Sequence, residues 1–398
     1  MAVSRRCRSL TSKCPAMSTA YDVIVVGVGG MGSAAAYHMA ARGLRVLALE
    51  QFKPGHSHGS SHGLTRIIRL AYFEHPSYVP LLHRAFALWR DLETGLDEPL
   101  LHVTGGLDVG WAGSEVFEGS LRSCREHALA HEILDARGLA TRFPGWVPAE
   151  NAMAVYQSDA GFVTPERCIA VHTARAIQAG ATVLTNTRVL DVVPEHGGVR
   201  VRTSAGEYTA GQVVLSAGPW MADLAPELAP VLSPERQVLG WFDIAQPDAF
   251  APSRFPVFVL DAAEGRYYGF PEYGVPGFKI GCYHHHAERV HPDSMTRDVS
   301  PRDEDTLRQA VARYFPQANG AMRQSTTCLF TNTPDEHFII DRARSAPQVL
   351  LVSPCSGHGF KFSSVIGEIC ADLVQHDRTS HDISLFRLAR FARSDRPS

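Results

Sequence analysis

The run Tyr21-Asp-Val-Ile-Val-Val-Gly-Val-Gly-Gly-Met-Gly-Ser33 constrains the fold of this chain more than any other segment. It reads as a buried strand, a glycine turn and the start of a helix. Gly27, Gly29 and Gly32 stand in the G-x-G-x-x-G spacing, with Gly30 between them. The first allows a tight turn, the second lets a pyrophosphate approach the backbone, and the third lets helix pack on strand. The free N–H groups at the helix start attract phosphate. A second strand, 44–49, leads to Glu50, which lies 23 residues after Gly27. The motif expects a carboxylate there for ribose hydroxyls. Strand, glycines, helix, strand and acid together predict a dinucleotide site. An acid at position 50 favours an unphosphorylated ribose, so FAD or NAD over NADP.

A chain of 398 residues with 45% hydrophobic and 20% charged residues suits two domains, or two interleaved ones. The formal net charge of -3 gives no strong field toward nucleic acid or an anionic membrane. No apolar stretch is long enough to span a bilayer, so neither nucleic acid nor membrane is expected as a partner. Eight cysteines are scattered without C-x-x-C pairing, which reads as reduced thiols and a cytoplasmic protein. Residues 1–20 carry Arg5, Arg6, Arg8 and Lys13 and no acid. They have a transit-peptide composition without its amphipathic pattern, and translation from Met17 is the expectation. Ser394-Asp-Arg-Pro-Ser398 is no recognised peroxisomal address.

Apolar residues at helical spacing predict helices over 78–93 and 169–179. Short β-rich runs follow at 182–184, 189–193 and 199–203, then an apolar strand at 212–216 that closes on Ala217-Gly218-Pro219-Trp220. Residues 236–290 alternate short apolar runs with turns and read as an antiparallel sheet. A helix is expected over 301–314, a strand over 348–352, a glycine turn over 356–361 and a closing helix over 363–375. The two ends of the chain thus share one α/β nucleotide-binding domain, with the sheet-rich part inserted.

Several segments together resemble one family, the monomeric sarcosine oxidase and N-methyltryptophan oxidase flavoproteins. They are Gly59-Ser-Ser-His-Gly-Leu-Thr-Arg-Ile-Ile-Arg69, Tyr267-Tyr-Gly-Phe-Pro271 with Lys279, Cys328-Leu-Phe-Thr-Asn-Thr-Pro-Asp-Glu-His-Phe-Ile-Ile-Asp341 and Ser356-Gly-His-Gly-Phe-Lys-Phe-Ser363. The resemblance runs from about residue 21 to 391. It implies a Rossmann-type FAD-binding domain of the glutathione-reductase-like kind with an interleaved antiparallel-sheet substrate domain. The FAD-binding part is then 21–100, 151–225 and 326–393, and the substrate part 101–150 and 226–325.

The resemblance also assigns roles. Cys328 carries the flavin through its 8α-methyl, as an 8α-S-cysteinyl link to FAD; thiolate attack on an electrophilic methyl is plausible chemistry. Lys279 faces the flavin and activates oxygen. Arg69 and Lys361 are the substrate-carboxylate pair, an arginine fork and a second charge. Residues that lie 292 positions apart are paired here only by the resemblance. His62 and Arg66 fall near the flavin, where a cation raises its electron affinity. Tyr268 belongs to the active site, and Gly218, Gly357, Gly359 and Phe360 to the cofactor cradle. The triplet His284-His285-His286 tempts as a metal site. Adjacent histidines on a strand point to opposite faces and cannot all converge, so a partly exposed loop end is expected here and no metal. His284 is the residue of the three expected to face the flavin.

Departures bear on the substrate. Phe330 stands where sarcosine-preferring members carry a tyrosine, Ser61 where a histidine is usual, and Leu64 where an aspartate is usual. Pro354-Cys355 precedes the glycine turn where small or apolar residues are usual. The expected activity is a monomeric FAD oxidase of secondary amino acids, with hydride passing from the N-alkyl carbon to flavin N5. O2 would become H2O2, and the imine would hydrolyse to aldehyde and amino acid. Alternatives are an oxidase or dehydrogenase of pipecolate or primary amino acids on the same fold, and a nucleotide-binding protein without redox activity.

Overall fold

The apolar residues of Tyr21–Val26 and all of Val46–Leu49 are buried, because each strand is covered on both faces. They pair in parallel, Val23 opposite Val46 and Val26 opposite Leu49. Parallel strands Thr182–Leu184, Val46–Leu49, Tyr21–Val26, Gly206–Leu215 and Ala346–Ser353 follow one another in that order. Gly30–Ala41 crosses this sheet and packs against Pro165–Gln178 and Ser363–His376. The crossing is close: a side chain at Gly367 would meet the Ala34 backbone at 2.6 Å. This is the Rossmann-type α/β sheet that the glycine turn predicts. The computed structural model of the protein describes residues 21–393, so the expected 1–20 extension and the last five residues lie outside the described residues.

A second sheet runs Met322–Asn332, Ser233–Phe242, Phe278–Cys282, Gly265–Phe270, Val257–Ala262, Gly106–Trp111, Ala152–Gln157 and Glu132–Asp135. Only the Val257–Ala262 and Gly106–Trp111 pair is parallel. Its core is aromatic: Trp146, Phe250, Phe255, Phe258, Phe278 and Phe315 pack ring on ring beneath helix Pro301–Tyr314. That helix has the expected bounds. Ser300 accepts from the Asp303 N–H while the Asp303 carboxylate accepts from the Ser300 N–H, which closes the capping box. A small third sheet joins Arg66–Ile68, Gly161–Val163 and Leu101–Val103. Its first strand and the residue after it bring Arg66, Ile67 and Arg69 to the cavity described below.

Several elements differ from expectation: the helix expected at 169–179 starts at Pro165 and ends at Gln178, and Ala152–Gln157, grouped with the nucleotide part, pairs into the second sheet. The strand expected at 212–216 begins at Gly206, because its first half pairs with the hairpin strand Gly198–Thr203 before its second half joins the parallel sheet. Residues 326–332, grouped with the nucleotide part in the sequence reading, continue a strand of the second sheet, with Cys328 opposite Gln237. Cys124, Cys168, Cys282, Cys328, Cys355 and Cys370 are free thiols. No helix among the described residues is long and apolar enough to cross a membrane.

Candidate active site

At the glycine turn, Gly27 has φ +86°, and a side chain on it would sit 2.6 Å from the Ser216 carbonyl oxygen. A side chain on Gly32 would strike the Gly27 oxygen at 1.7 Å, so only glycine lets the helix start this close to the strand. At Gly29 the situation reverses: nothing lies nearer than Ser61 Oγ at 4.0 Å, and at the helix start that Oγ accepts from the Gly30 N–H at a long 3.4 Å. Backbone N–H groups at a helix start form an anion cradle, and a phosphate would compete only with this weak serine contact. Glu50 closes the motif. Its two oxygens accept from the Val28 N–H at 2.8 Å and the Phe52 N–H at 3.0 Å. Burial opposes its charge, but His56 and these two N–H groups outweigh burial and hold the carboxyl below its ordinary range. These residues fit a dinucleotide with phosphates at the turn and a ribose at Glu50.

Gly27, Gly29, Gly30 and Glu50 line one cavity together with Gly218, Gly357, Gly359 and Phe360. Arg66, Arg69, Tyr268, Phe330 and Lys361 line the same cavity. The fold therefore brings together the carboxylate pair that lies far apart in sequence. Both cations rest against Tyr72: the Arg69 guanidinium is 5.0 Å and the Lys361 ammonium 5.1 Å from its ring centre. Arg69 is fully enclosed. Its Nε donates to the Ala71 oxygen at 3.1 Å and to Asp108 at 3.2 Å, and Nη2 donates to Glu74 at 3.1 Å. Burial pushes Asp108 up to about 6, while for Glu74 the Arg69 charge overcomes burial and the carboxyl stays low. Burial, and then Arg69, press Lys361 down to about 7.

Lys279, His62, Cys328 and Gly32 lie behind the cavity wall rather than on it. The Lys279 ammonium donates to the oxygens of Gly63 at 2.5 Å and Thr65 at 3.1 Å, and to Thr65 Oγ1 at 2.7 Å. It sits 4.2 Å from the centre of Phe270, itself a lining residue. Burial, and then Arg66, drive its pKa well down. Arg66 donates to the carbonyls of Thr65 and Ser60, both at 2.9 Å, and forms no ion pair among the described residues. His62, pushed to about 3 by burial and then by Arg66 and Lys279, is neutral. Glu166 pins this turn by accepting from the N–H groups of Gly63 and Leu64. Cys328 is buried with Leu239, Trp241 and Phe330, next to Tyr268. Burial raises its thiol pKa while Arg66 and Lys279 pull the other way.

The histidine triplet lies past a strand end and is partly exposed, as a loop end would be. The strand ends at Cys282, and His284 (φ 56°), His285 (φ 28°) and Ala287 (φ 51°) form a left-handed turn. The argument from alternating faces therefore does not apply, and His285 and His286 do converge on Asp303. Arg236 already grips both Asp303 oxygens, at 2.9 and 3.0 Å, which places a cation where a metal would need the carboxylate. His284 does not line the cavity. It bridges Glu235 at 3.1 Å and Glu336 at 3.0 Å, and these bonds raise it to about 10. The residue of this segment that does line the cavity is Tyr283, packed edge-on against Tyr268 and Phe330. Sequence reading also missed Tyr72, Glu74, Asp108 and His358. Glu74, five residues after Arg69, is the one with a local signal: an acid within reach of a buried arginine.

Comparison with known proteins agrees with this geometry. The sequence profile of the family described as FAD dependent oxidoreductase (DAO) matches residues 22–373. Monomeric sarcosine oxidase of Bacillus sp. (strain NS-129) is 40% identical over 381 residues, covering 94% of this chain and 98% of that protein. N-methyl-L-tryptophan oxidase of Salmonella enteritidis PT4 is 36% identical over 373 residues, covering 94% and 99%. Among solved structures, NikD, described as an unusual amino acid oxidase essential for nikkomycin biosynthesis, superposes with a TM-score of 0.79 at 27% identity, covering 93% and 98%. L-proline dehydrogenase from P. horikoshii shares the fold, with a TM-score of 0.82 at 18% identity over 95% and 99%. The chain belongs to the DAO family of FAD dependent oxidoreductases.

Proposed function

We propose that this enzyme is an FAD-dependent oxidase of secondary amino acids, N-methylated ones such as sarcosine or N-methyl-L-tryptophan in particular. One observation carries the reading. Arg69 and Lys361, drawn from opposite ends of the chain, meet at Tyr72 in the cavity that begins at the glycine cradle. Two cations beside a dinucleotide site suit a small substrate with one carboxylate. The relatives named for sarcosine and N-methyl-L-tryptophan oxidation supply the substrate class.

The residues divide the work. The Gly27–Gly30 turn would hold the pyrophosphate, Glu50 a ribose, and Cys328 the ring through a thioether. When bound, FAD supplies a two-electron acceptor for an amine C–H and passes the electrons to O2. Arg69 and Lys361 grip the carboxylate and so orient the N-alkyl carbon, converting an encounter into a fixed geometry. Tyr268, Tyr283 and Phe330 would give that carbon an aromatic surround. Arg66 adds positive charge without a carboxylate to cancel it. His62, being neutral, adds none. Lys279, fixed by three oxygens, is held beside the site where oxygen would gain charge.

A screen of peroxide release under air tests this, using sarcosine, N-methyltryptophan, N-methylalanine, pipecolate and proline. The expected result is peroxide with at least one N-methyl amino acid. Dominance by pipecolate would move the substrate to cyclic amines. No peroxide with any of them would defeat the proposal.

A further inference from the structure

His358, which lines the cavity, and Tyr72, against which both cations rest, are buried and have no role of their own in the scheme above. Their hydrogen bonds have a single consistent direction. His358 Nε2 lies 2.9 Å from the carbonyl oxygen of Glu336, which can only accept, so Nε2 carries the hydrogen. Burial pushes His358 down to about 4, so the ring is neutral and Nδ1 is a bare acceptor. Tyr72 Oη, 2.6 Å from Nδ1 and 3.4 Å from the His358 carbonyl oxygen, therefore donates its one hydrogen to the nearer Nδ1. The hydroxyl hydrogen is turned away from Lys361, and the oxygen's lone pairs remain for the ammonium at 3.5 Å. A second Lys361 hydrogen goes to the His358 carbonyl at 2.8 Å. The Lys361 backbone is fixed too, its carbonyl accepting from Trp89 Nε1 at 2.9 Å. Of three ammonium hydrogens, two are tied, and the third is left for the cavity that Lys361 lines.

We propose that Tyr72 and His358 are positioning residues: one carbonyl, through a fixed imidazole tautomer and a phenol, orients Lys361 as a carboxylate-binding donor. The inference rests on the substrate reading above and deepens it. The charges that face Lys361 are Arg69 and Arg66, which disfavour its proton, and Glu74 and Asp108, which favour it. An incoming carboxylate also favours the proton. Binding is then proton-linked, and affinity stays level below about pH 7 and weakens above it by up to about tenfold per unit.

The test is the pH profile of KM for the best substrate, and of the Kd for acetate, a carboxylate with no amine to oxidise, both on the flavin-loaded protein. Tyr72→Phe removes the oxygen that accepts from the ammonium, so Lys361 loses its proton at lower pH. KM at pH 7 should rise about twofold to fivefold, and the onset of its climb should move down by about half to one unit, with kcat changing far less. His358→Leu should shift the profile the same way. His358→Asn, which can place an acceptor oxygen where Nδ1 stood, should stay closer to the parent. If Tyr72→Phe does not fold, the two His358 variants carry the comparison. Profiles of Tyr72→Phe and His358→Leu that superimpose on the parent's would overturn the proposal. A parent that turns over no secondary amino acid contradicts the substrate reading instead. The acetate profiles then still decide: a downward shift in the variants supports the positioning role, and a flat parental profile refutes it.

Discussion

The Lys279 ammonium donates to the Gly63 carbonyl oxygen at 2.5 Å, joining the second sheet to the turn that also carries His62 and Arg66. That contact spans 216 residues and is reinforced by both oxygens of Thr65. It fixes a nitrogen behind the cavity wall, next to Phe270.

Lys279→Met keeps the bulk and deletes the nitrogen. Reoxidation by O2 should fall by about 10²–10³-fold, the usual scale for one preorganised electrostatic group. Bleaching of the flavin by substrate without air should persist. Stopped-flow traces of the two half-reactions separate these outcomes; an unchanged O2 rate counts against the oxygen role.

Cys328 lies in the apolar group that also holds Phe330 and, at its edge, Tyr268, both of which line the cavity. If it carries the ring, acid-precipitated parent protein stays yellow. Cys328→Ala should release its colour into the supernatant. A colourless parental pellet would show that the cofactor is held without a bond to sulfur.

Removing Arg69 should cost more than binding. Arg69→Met leaves Asp108 and Glu74 buried without their cation, a loss of about 3–5 kcal/mol of stability. Urea unfolding should show this, and KM should rise in the fraction that folds. A variant as stable as the parent would mean the two acids are not charged around the guanidinium.

His284 gives a stability signal with a definite sign. Its folded pKa, raised to about 10 by hydrogen bonds to Glu235 and Glu336, lies above the ordinary 6.5. The folded state therefore holds the proton more tightly. The gain is fully present below about pH 6.5, shrinks as pH rises, and is gone above about 10. The imidazole is 43% exposed, so solvent screens the pair and the effect is small. Thermal melts from pH 6.5 to 10 should fall less steeply for His284→Asn than for the parent; identical slopes would contradict the clasp.

Much of the fold was legible because local signals were strong. The helix Pro301–Tyr314 announces itself through Ser300, Pro301 and Asp303, and the strand Thr182–Leu184 through its turn residues. Only the second half of strand Gly206–Leu215 is legible as apolar sequence, because its first half answers to a hairpin partner. The site was legible only where a motif carried it. Arg69 and Lys361 meet through the tertiary fold, which no spacing reveals. His284 follows from the resemblance, which carries no backbone geometry; the left-handed turn after Cys282 aims it at Glu235 and Glu336 and leaves Tyr283 on the cavity. Glu74 and Asp108 were missed because a buried acid becomes visible only once its arginine is placed.

The most direct measurement mixes the yellow protein, without air, with an N-methyl amino acid and with the methyl ester of the same compound. Anchoring by Arg69 and Lys361 predicts rapid bleaching by the acid and slowing by about two orders of magnitude for the ester, which offers no anion to the pair. Equal bleaching by acid and ester, or none by either, would contradict it.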